Sequence, residues 1–206
     1  MKKLSLISGL FTIFVSCASS PKFIAPDYSR PQKVAILPTI NQTNDVEGSI
    51  IFRNLLSKGL KTKKYANLKE IPVIDSILNE VGITDGGQLS TLSQNELFEM
   101  LNVDGLFYIK LLVCESTPLD PFETGEVKAN FKLYKSPSKL IWEDERGEKA
   151  KSRSIKLSAS LSELFKSYTK KVTEDLIEQS SEAWIEDHEL KEEMEKLIKK
   201  SLKTLR

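Results

Sequence analysis

The sequence of 206 residues is short of the side chains that most enzyme mechanisms use. It has one histidine and two cysteines, and it contains no HExxH or G-x-S-x-G pattern and no neighbouring Cys-His pair. The residue patterns that common metal-dependent and nucleophile-dependent hydrolases use are therefore absent. The phosphate-binding patterns G-x-x-x-x-G-K-[ST] and G-x-G-x-x-G are also absent. We therefore expect a protein that is not an enzyme, with no catalytic residues and no cofactor.

Charge of one sign is not in excess. Lys and Arg number 30 against 29 Asp and Glu, which gives a formal net charge of +1. A nucleic-acid-binding domain usually carries a clear basic excess, so we expect no nucleic-acid partner. Hydrophobic residues make up 40% of the chain and charged residues 29%, which is enough apolar material for the core of one medium-sized domain.

The sequence has no long apolar run. A short apolar run lies at the start of the chain. Met1, Lys2 and Lys3 form a basic start, and residues 4–15 are uncharged and mostly apolar. A membrane-spanning helix needs about 20 apolar residues, so this run is better suited to the apolar region of a secretory signal. We expect residues 1–16 to be a signal peptide that is removed.

The residues that end this run, Phe14-Val15-Ser16-Cys17, resemble a lipobox. That resemblance implies cleavage before Cys17 and attachment of lipid to its thiol, so that the membrane is a partner through the N-terminal lipid. The commonest lipobox has Leu in the place of Phe14 and Ala or Ser in the place of Val15. The alternatives are an ordinary signal peptide with an incidental cysteine, or an uncleaved amphipathic start that packs on the domain.

The next segment, residues 17–31, is rich in Ser and Pro and has no helical or strand periodicity. One interpretation is a flexible tether between the lipid anchor and the domain. The other is a strand that docks on the edge of the domain through Phe23 and Ile24.

Residues 32–157 have the patterns of one α/β domain. Apolar spacing and turn residues predict strands over residues 33–38, 71–75, 106–114, 126–134 and 140–145, and helices over residues 46–61, 76–81 and 94–102. Ser93 and Glu96 form a capping-box pattern at the start of the last of these helices, and Arg53 lies away from the centre of the apolar face of the first. We expect a mixed sheet of about five strands flanked by helices, followed by a C-terminal helical extension.

Residues 158–206 contain almost no Gly or Pro and carry apolar stripes at helical spacing. We predict C-terminal helices that pack against the domain. For residues 189–205 the alternative is a helix that binds a partner.

Cys114 and His188 are the cysteine and the histidine outside the signal region. Cys114 lies at the end of a predicted buried strand, which favours a small apolar role. His188 stands among Glu186, Asp187 and Glu189 in a helical pattern, which is typical of a solvated helix face. Because a zinc site needs about three protein ligands, we predict no metal site.

Several local patterns resemble a family of bacterial lipoproteins of unknown function, related to the curli secretion channel subunit and to the lipoprotein activator of a penicillin-binding protein. These patterns are residues 34–38 followed by Asn41, residues 72–75, residues 101–109, and the hairpin of residues 131–134 and 140–142 that ends in Trp142. The resemblance covers about residues 32–146. It implies an α/β sandwich on the periplasmic side of the outer membrane. The Ser136-Pro137-Ser138 turn and the charged C-terminal helices depart from the family pattern.

Together these observations predict a lipid-anchored lipoprotein of the cell envelope that acts as a non-catalytic binding, scaffolding or assembly module. Its partner, besides the membrane, would be another envelope protein. The alternative is an accessory subunit of an envelope export or transport complex.

Overall fold

The computed structural model describes residues 21–119, 122–150, 153–154 and 188–206. The helices in these residues are α1 (Val46–Thr62), α2 (Ile71–Glu80), α3 (Gln94–Leu101) and α4 (Lys191–Leu202), with a 3-10 helix over Gly86–Thr91. The strands are β1 (Phe23–Ile24), β2 (Lys33–Ile36), β3 (Ile40–Asn41), β4 (Asn67–Leu68), β5 (Gly105–Leu119), β6 (Phe122–Lys135), β7 (Lys139–Lys149) and β8 (Arg153–Ser154).

The eight strands of the described residues form one mixed sheet. Its order is β1-β7-β6-β5-β2-β4, while β3 also pairs with β5 and β8 with β6. The long strands β5, β6 and β7 are antiparallel neighbours, whereas β2 runs parallel to both β4 and β5. Parallel strands need crossover connections: α1 lies between β2 and its neighbour β4, and α2 and α3 lie between β4 and β5, which flank β2 on opposite sides.

Helices cover both faces of the sheet, and successive residues from Val34 to Leu37 point to opposite faces. Val34 and Ile36 join a core with α1 and α4, whereas Ala35 and Leu37 join a core with α2 and α3. The predicted fold class, a mixed sheet flanked by helices with a C-terminal helix, is therefore confirmed. The additional strands are β1, β3, β4 and β8, which are two residues long and too short to show a periodic pattern.

Aromatic side chains fill the core under α1. The rings of Phe52 and Phe131 stack with centroids 5.7 Å apart, and those of Phe107 and Trp142 are also 5.7 Å apart. The indole Nε1 of Trp142 donates a hydrogen bond to Thr204 Oγ1 at 3.2 Å, so the buried polar atom is satisfied. This contact ties Thr204, which follows α4, to β7.

The prediction of a strand over residues 71–75 is wrong, because these residues form the first half of α2. Pro72 lies in the first turn, where a missing N–H is tolerated. Ile74 and Leu78 are four residues apart and both buried, so the apolar residues of this segment form a helical stripe. The strand at this edge of the sheet is β4, which ends before α2 begins.

The antiparallel strands are longer than their apolar patterns predict. β5 and β7 continue past the predicted ends at Cys114 and Glu145, and β6 begins before Glu126. The additional pairs are mostly polar, as with Glu115 opposite Glu126. Backbone hydrogen bonds of a hairpin extend a strand where no alternation of apolar residues marks it.

The segment before β2 follows the edge-strand alternative in its described part. Phe23 and Ile24 form β1, which pairs antiparallel with β7 opposite Glu143 and Trp142. Residues 1–16 and Cys17 lie outside the described residues. The signal peptide, the lipid anchor and the bounds of the tether therefore stay predictions.

The predicted C-terminal helices fall partly outside the described residues, which resume at His188. The described part contains α4, whose side chains Met194, Leu197, Ile198 and Leu202 are buried in the core shared with α1. This helix packs on the domain, as the first of the two interpretations predicts. Among the described helices, none has the length and apolar character needed to cross a bilayer.

Candidate functional site

Three side chains that can bind a ligand or a metal ion meet at the N-terminal end of α1. Asp45 directly precedes α1, Cys114 lies on β5, and His188 precedes α4. A carboxylate oxygen, the thiol sulfur and an imidazole nitrogen all lie within 4.8 Å of one another. We call these three residues the Asp45 cluster. Asp45 is 69 residues from Cys114 and 143 residues from His188 in sequence, so the cluster exists only in the folded protein.

Asp45 is fixed by the polar loop that precedes α1. Its Oδ1 caps the helix by accepting a hydrogen bond from the Gly48 amide at 2.7 Å. Its backbone amide donates to Thr43 Oγ1 at 3.1 Å, and its backbone carbonyl accepts from Asn41 Nδ2 at 2.9 Å. The positive end of the helix dipole also favours a carboxylate here. These contacts leave Oδ2 available to more distant partners.

The second carboxylate oxygen of Asp45 has two such partners. The Cys114 thiol donates to Oδ2 at 3.2 Å, and His188 Nε2 lies 2.8 Å from it. The Leu190 amide donates to His188 Nδ1 at 3.2 Å, so Nδ1 acts as an acceptor and the neutral ring carries its proton on Nε2. Nε2 therefore donates to Asp45. The His188 side chain is only 12% exposed.

Two glycines allow these segments to approach closely. A Cβ atom on Gly48 would lie 2.3 Å from Asp45 Oδ2 and 3.1 Å from Cys114 Sγ. A Cβ atom on Gly125, in β6, would lie 2.2 Å from Leu190 Cδ2. Carbon contacts are most favourable at about 3.5–4.0 Å, so a side chain at either position would push the cluster apart.

The same contacts set the protonation of two acidic groups. Burial alone would raise the pKa of the Asp45 carboxyl, but hydrogen bonds from Gly48, Cys114 and His188 together hold this pKa below its ordinary value. Burial raises the pKa of the Cys114 thiol, and the hydrogen bond to the Asp45 carboxylate raises it further. At neutral pH the cluster therefore contains an ionised carboxylate and a protonated thiol.

This arrangement does not suit nucleophilic catalysis. A catalytic cysteine needs a base that takes its proton and a third group that orients the base. Here the Asp45 carboxylate stands between the Cys114 thiol and the His188 imidazole, and its lowered pKa makes it a weak base. The raised pKa of the thiol also disfavours the reactive thiolate. The geometry suits binding better than bond breaking.

The cluster opens onto a cavity of about 400 Å³. The described residues around it include three carboxylates and no lysine or arginine, and its polar lining consists of Asp45, Glu47, Cys114, Ser116, His188 and Glu189. Acidic side chains without basic ones favour a cation over an anion.

The sequence-based predictions for these residues have mixed outcomes. The prediction that His188 lies on a solvated helix face is wrong, because it precedes α4 and is mostly buried against Asp45. Cys114 is buried as predicted, but its thiol also donates to Asp45. Asp45 is the residue that the sequence reasoning missed. Its place just before a helical pattern could have identified a helix cap, but not the two distant partners. Cys17 lies outside the described residues, and the predicted absence of catalytic and metal-binding residues stays a prediction.

Comparison with known proteins identifies a family. A family model described as "Putative lipoprotein GNA1162-like" matches residues 23–184. The family resemblance seen in the sequence is thereby confirmed, and the match extends beyond residues 32–146 at both ends. It stops before His188. A search of curated proteins finds no match.

Solved structures share the fold at low sequence identity. GNA1162 from Neisseria meningitidis is 17% identical with a TM-score of 0.53, over 69% of this chain and 98% of that chain. PelC from Paraburkholderia phytofirmans, solved as a dodecamer, is 13% identical with a TM-score of 0.51, over 88% of this chain and 93% of that chain. The C-terminal domain of LpoB from Escherichia coli is 11% identical with a TM-score of 0.42, over 59% and 86%. The first two similarities show a common fold.

Proposed function

The chain belongs to the GNA1162-like lipoprotein family, and on that premise we propose that it is a lipid-anchored protein of the bacterial cell envelope with a non-catalytic binding, scaffolding or assembly role. The observation that carries the proposal is the N-terminal sequence, in which a basic start and a short apolar run end at Cys17 just before the residues that match the family. We assign the protein to the periplasmic side of the outer membrane.

The anchor would hold the domain close to the membrane. Six residue steps separate Cys17 from Phe23, the first residue of β1. A fully extended chain spans about 3.3–3.6 Å per residue, so the reach is at most about 20 Å. Each buried CH₂ of an acyl chain contributes about 0.8 kcal/mol, and two or more chains anchor a protein stably. The fold itself then needs no membrane affinity.

The surface that we assign to a partner is a groove between α1 and α4. It has a volume of about 650 Å³ and an apolar floor that includes Leu55, Ile198 and Leu202. Its rim carries four lysines and one glutamate, namely Lys58, Lys63, Lys199, Lys203 and Glu195. An apolar floor with a basic rim complements an acidic amphipathic segment of another envelope protein.

The anchor is tested by metabolic labelling with a fatty acid. We expect the unmodified protein to be labelled and membrane-bound, and Cys17→Ser to lose the label and move to the soluble fraction. Cys114→Ser is the matched control, because it removes the other cysteine of the chain and should leave labelling intact. Fatty-acid labelling that persists in Cys17→Ser would contradict the lipoprotein proposal.

The partner is tested by copurification in mild detergent. We expect an envelope protein to copurify with the unmodified chain and to be lost from the double variant Lys58→Glu/Lys199→Glu, which reverses charge on both sides of the groove. Lys33→Glu, an exposed lysine outside the groove, is the control. If the same amount of the partner copurified with the unmodified chain, the double variant and Lys33→Glu, the groove would be excluded as the binding surface.

A second candidate is an accessory subunit of an export or transport complex. The observation that favours it is the fold shared with PelC, which was solved as a dodecamer. Recovery with secretion components, together with a ring-sized assembly by light scattering, would favour this candidate. Recovery with peptidoglycan synthases and a small particle would favour the first.

A further inference from the structure

We propose that Asp45, Cys114 and His188 form a binding site for a divalent transition-metal ion of the zinc type. The three residues supply a carboxylate, a thiolate and an imidazole, which are the ligand types that zinc takes in proteins. They come from the start of α1, from β5 and from the segment before α4. The ion would therefore join three parts of the chain at one point.

The two distances from the Asp45 carboxylate to the other ligand atoms are slightly shorter than those of a zinc site. With Zn–S near 2.3 Å and Zn–N or Zn–O near 2.0–2.1 Å, tetrahedral ligand atoms lie about 3.3–3.6 Å apart. Asp45 Oδ2 lies 3.2 Å from Cys114 Sγ and 2.8 Å from His188 Nε2. Cys114 Sγ and His188 Nε2 lie within 4.8 Å of each other, so these two side chains would move closer together around the ion, and the cavity leaves space for a fourth ligand from solvent.

The choice of metal follows from the ligands. Oxygen-only sites suit calcium and magnesium, whereas a thiolate with an imidazole selects softer ions. A thiolate and a carboxylate together neutralise the charge of a divalent cation. Asp45 also keeps Oδ1 on the Gly48 amide, so coordination by Oδ2 leaves the cap of α1 in place.

Binding rearranges two protons. The Cys114 thiol loses its proton to solvent as sulfur bonds to the metal. The neutral His188 ring moves its proton from Nε2 to Nδ1, and the Leu190 amide gives up its hydrogen bond to Nδ1. One proton is released for each metal ion bound.

The first experiment measures Zn²⁺ affinity by competition with a chromophoric chelator and uses Co²⁺ as a spectroscopic probe. The protein is the full chain in detergent with Cys17→Ser, so that Cys114 is its only thiol. We expect one ion per chain and a thiolate-to-cobalt charge-transfer band. Cys114→Ser and His188→Gln should each weaken Zn²⁺ binding at least tenfold. Glu99→Gln, an exposed residue of α3 outside this cavity, is the control and should change it less than threefold. Binding that these two variants do not weaken would overturn the proposal.

The second experiment needs no change at the site and so decides the matter even if a variant fails to fold. His188 is the only histidine of the chain, so nitrogen-15 NMR of the imidazole is unambiguous. We expect the Nε2–H tautomer without metal and the Nδ1–H tautomer with one equivalent of Zn²⁺. Zinc that binds without changing the His188 resonances, or that does not bind at all, would refute the site.

Discussion

The N-terminal ends of α1 and α3 are both capped by side chains, but the two caps differ in what they connect. At α3, Ser93 Oγ accepts from the Glu96 amide while the Glu96 carboxylate accepts from the Ser93 amide at 2.7 Å. Both hydrogen bonds of this cap join residues that are three positions apart in sequence. At α1, the Asp45 carboxylate also accepts from Cys114 and contacts His188. A local cap stabilises its own helix, whereas the shared cap joins distant segments.

The largest effect is expected from Asp45→Ala. The variant removes the cap of α1 and leaves the partly buried thiol and imidazole donors without their acceptor, so we expect a loss of about 2–4 kcal/mol in the free energy of unfolding. Urea denaturation with a chelator present measures it. Asp45→Asn is the control, because Asn is also a good cap and should lose less. A loss in Asp45→Ala no larger than that in Ser93→Ala would remove the distinction between the two caps.

Gly48→Ala comes next. Alanine usually stabilises a helix interior over glycine by about 0.5–1 kcal/mol. Here its Cβ would lie 2.3 Å from Asp45 Oδ2, so we expect a destabilisation of about 1–3 kcal/mol. Thermal unfolding of the variant measures the effect. A stabilised Gly48→Ala protein would show that the cluster is not tightly packed.

Ser93→Ala should have a smaller effect of about 1 kcal/mol, the usual value for a lost helix cap. Because this cap has no distant partner in the described residues, the change should stay within α3 and its neighbours. The NMR resonances of His188 report on this directly. A shift of these resonances in Ser93→Ala would contradict a purely local cap.

The smallest effect concerns pH. The lowered pKa of Asp45 means that its contribution to stability is present above its unfolded pKa, near 3.9, and is lost as pH falls through the folded pKa. The amide side chain of the Asp45→Asn variant cannot titrate. The stability difference between this variant and the unmodified protein should therefore shrink below about pH 4. A difference that stays constant from pH 7 to pH 3 would show that Asp45 gains nothing from ionisation in the fold.

The two caps also show which features could be predicted from the sequence, namely those whose partners are close together in the chain. The Ser93 and Glu96 capping box was predicted and is confirmed, because both partners are three residues apart and the pattern is local. The helix over residues 46–61 was predicted within one residue of α1. In both cases the spacing of apolar residues and a nearby cap carried the information.

Features that depend on tertiary contacts were missed. Arg53 was expected away from the centre of the apolar face of α1, and the pattern did not predict that it is only 7% exposed and donates to the Ile36 carbonyl and to Asp75. His188 was expected in solvent because its neighbours in sequence are acidic, while its partner Asp45 is 143 residues away. No local pattern encodes such a pairing. The residues of the cluster could be recognised individually, but only the fold brings them together.

The measurement that tests the account most directly is a double-mutant cycle between Asp45 and His188. Free energies of unfolding are measured with a chelator present for the unmodified protein, Asp45→Asn, His188→Ala and the double variant. If the start of α1 joins the segment before α4, the two changes should be coupled by about 0.5–3 kcal/mol. Losses that add to within about 0.3 kcal/mol would contradict the shared cap and leave two independent surface residues.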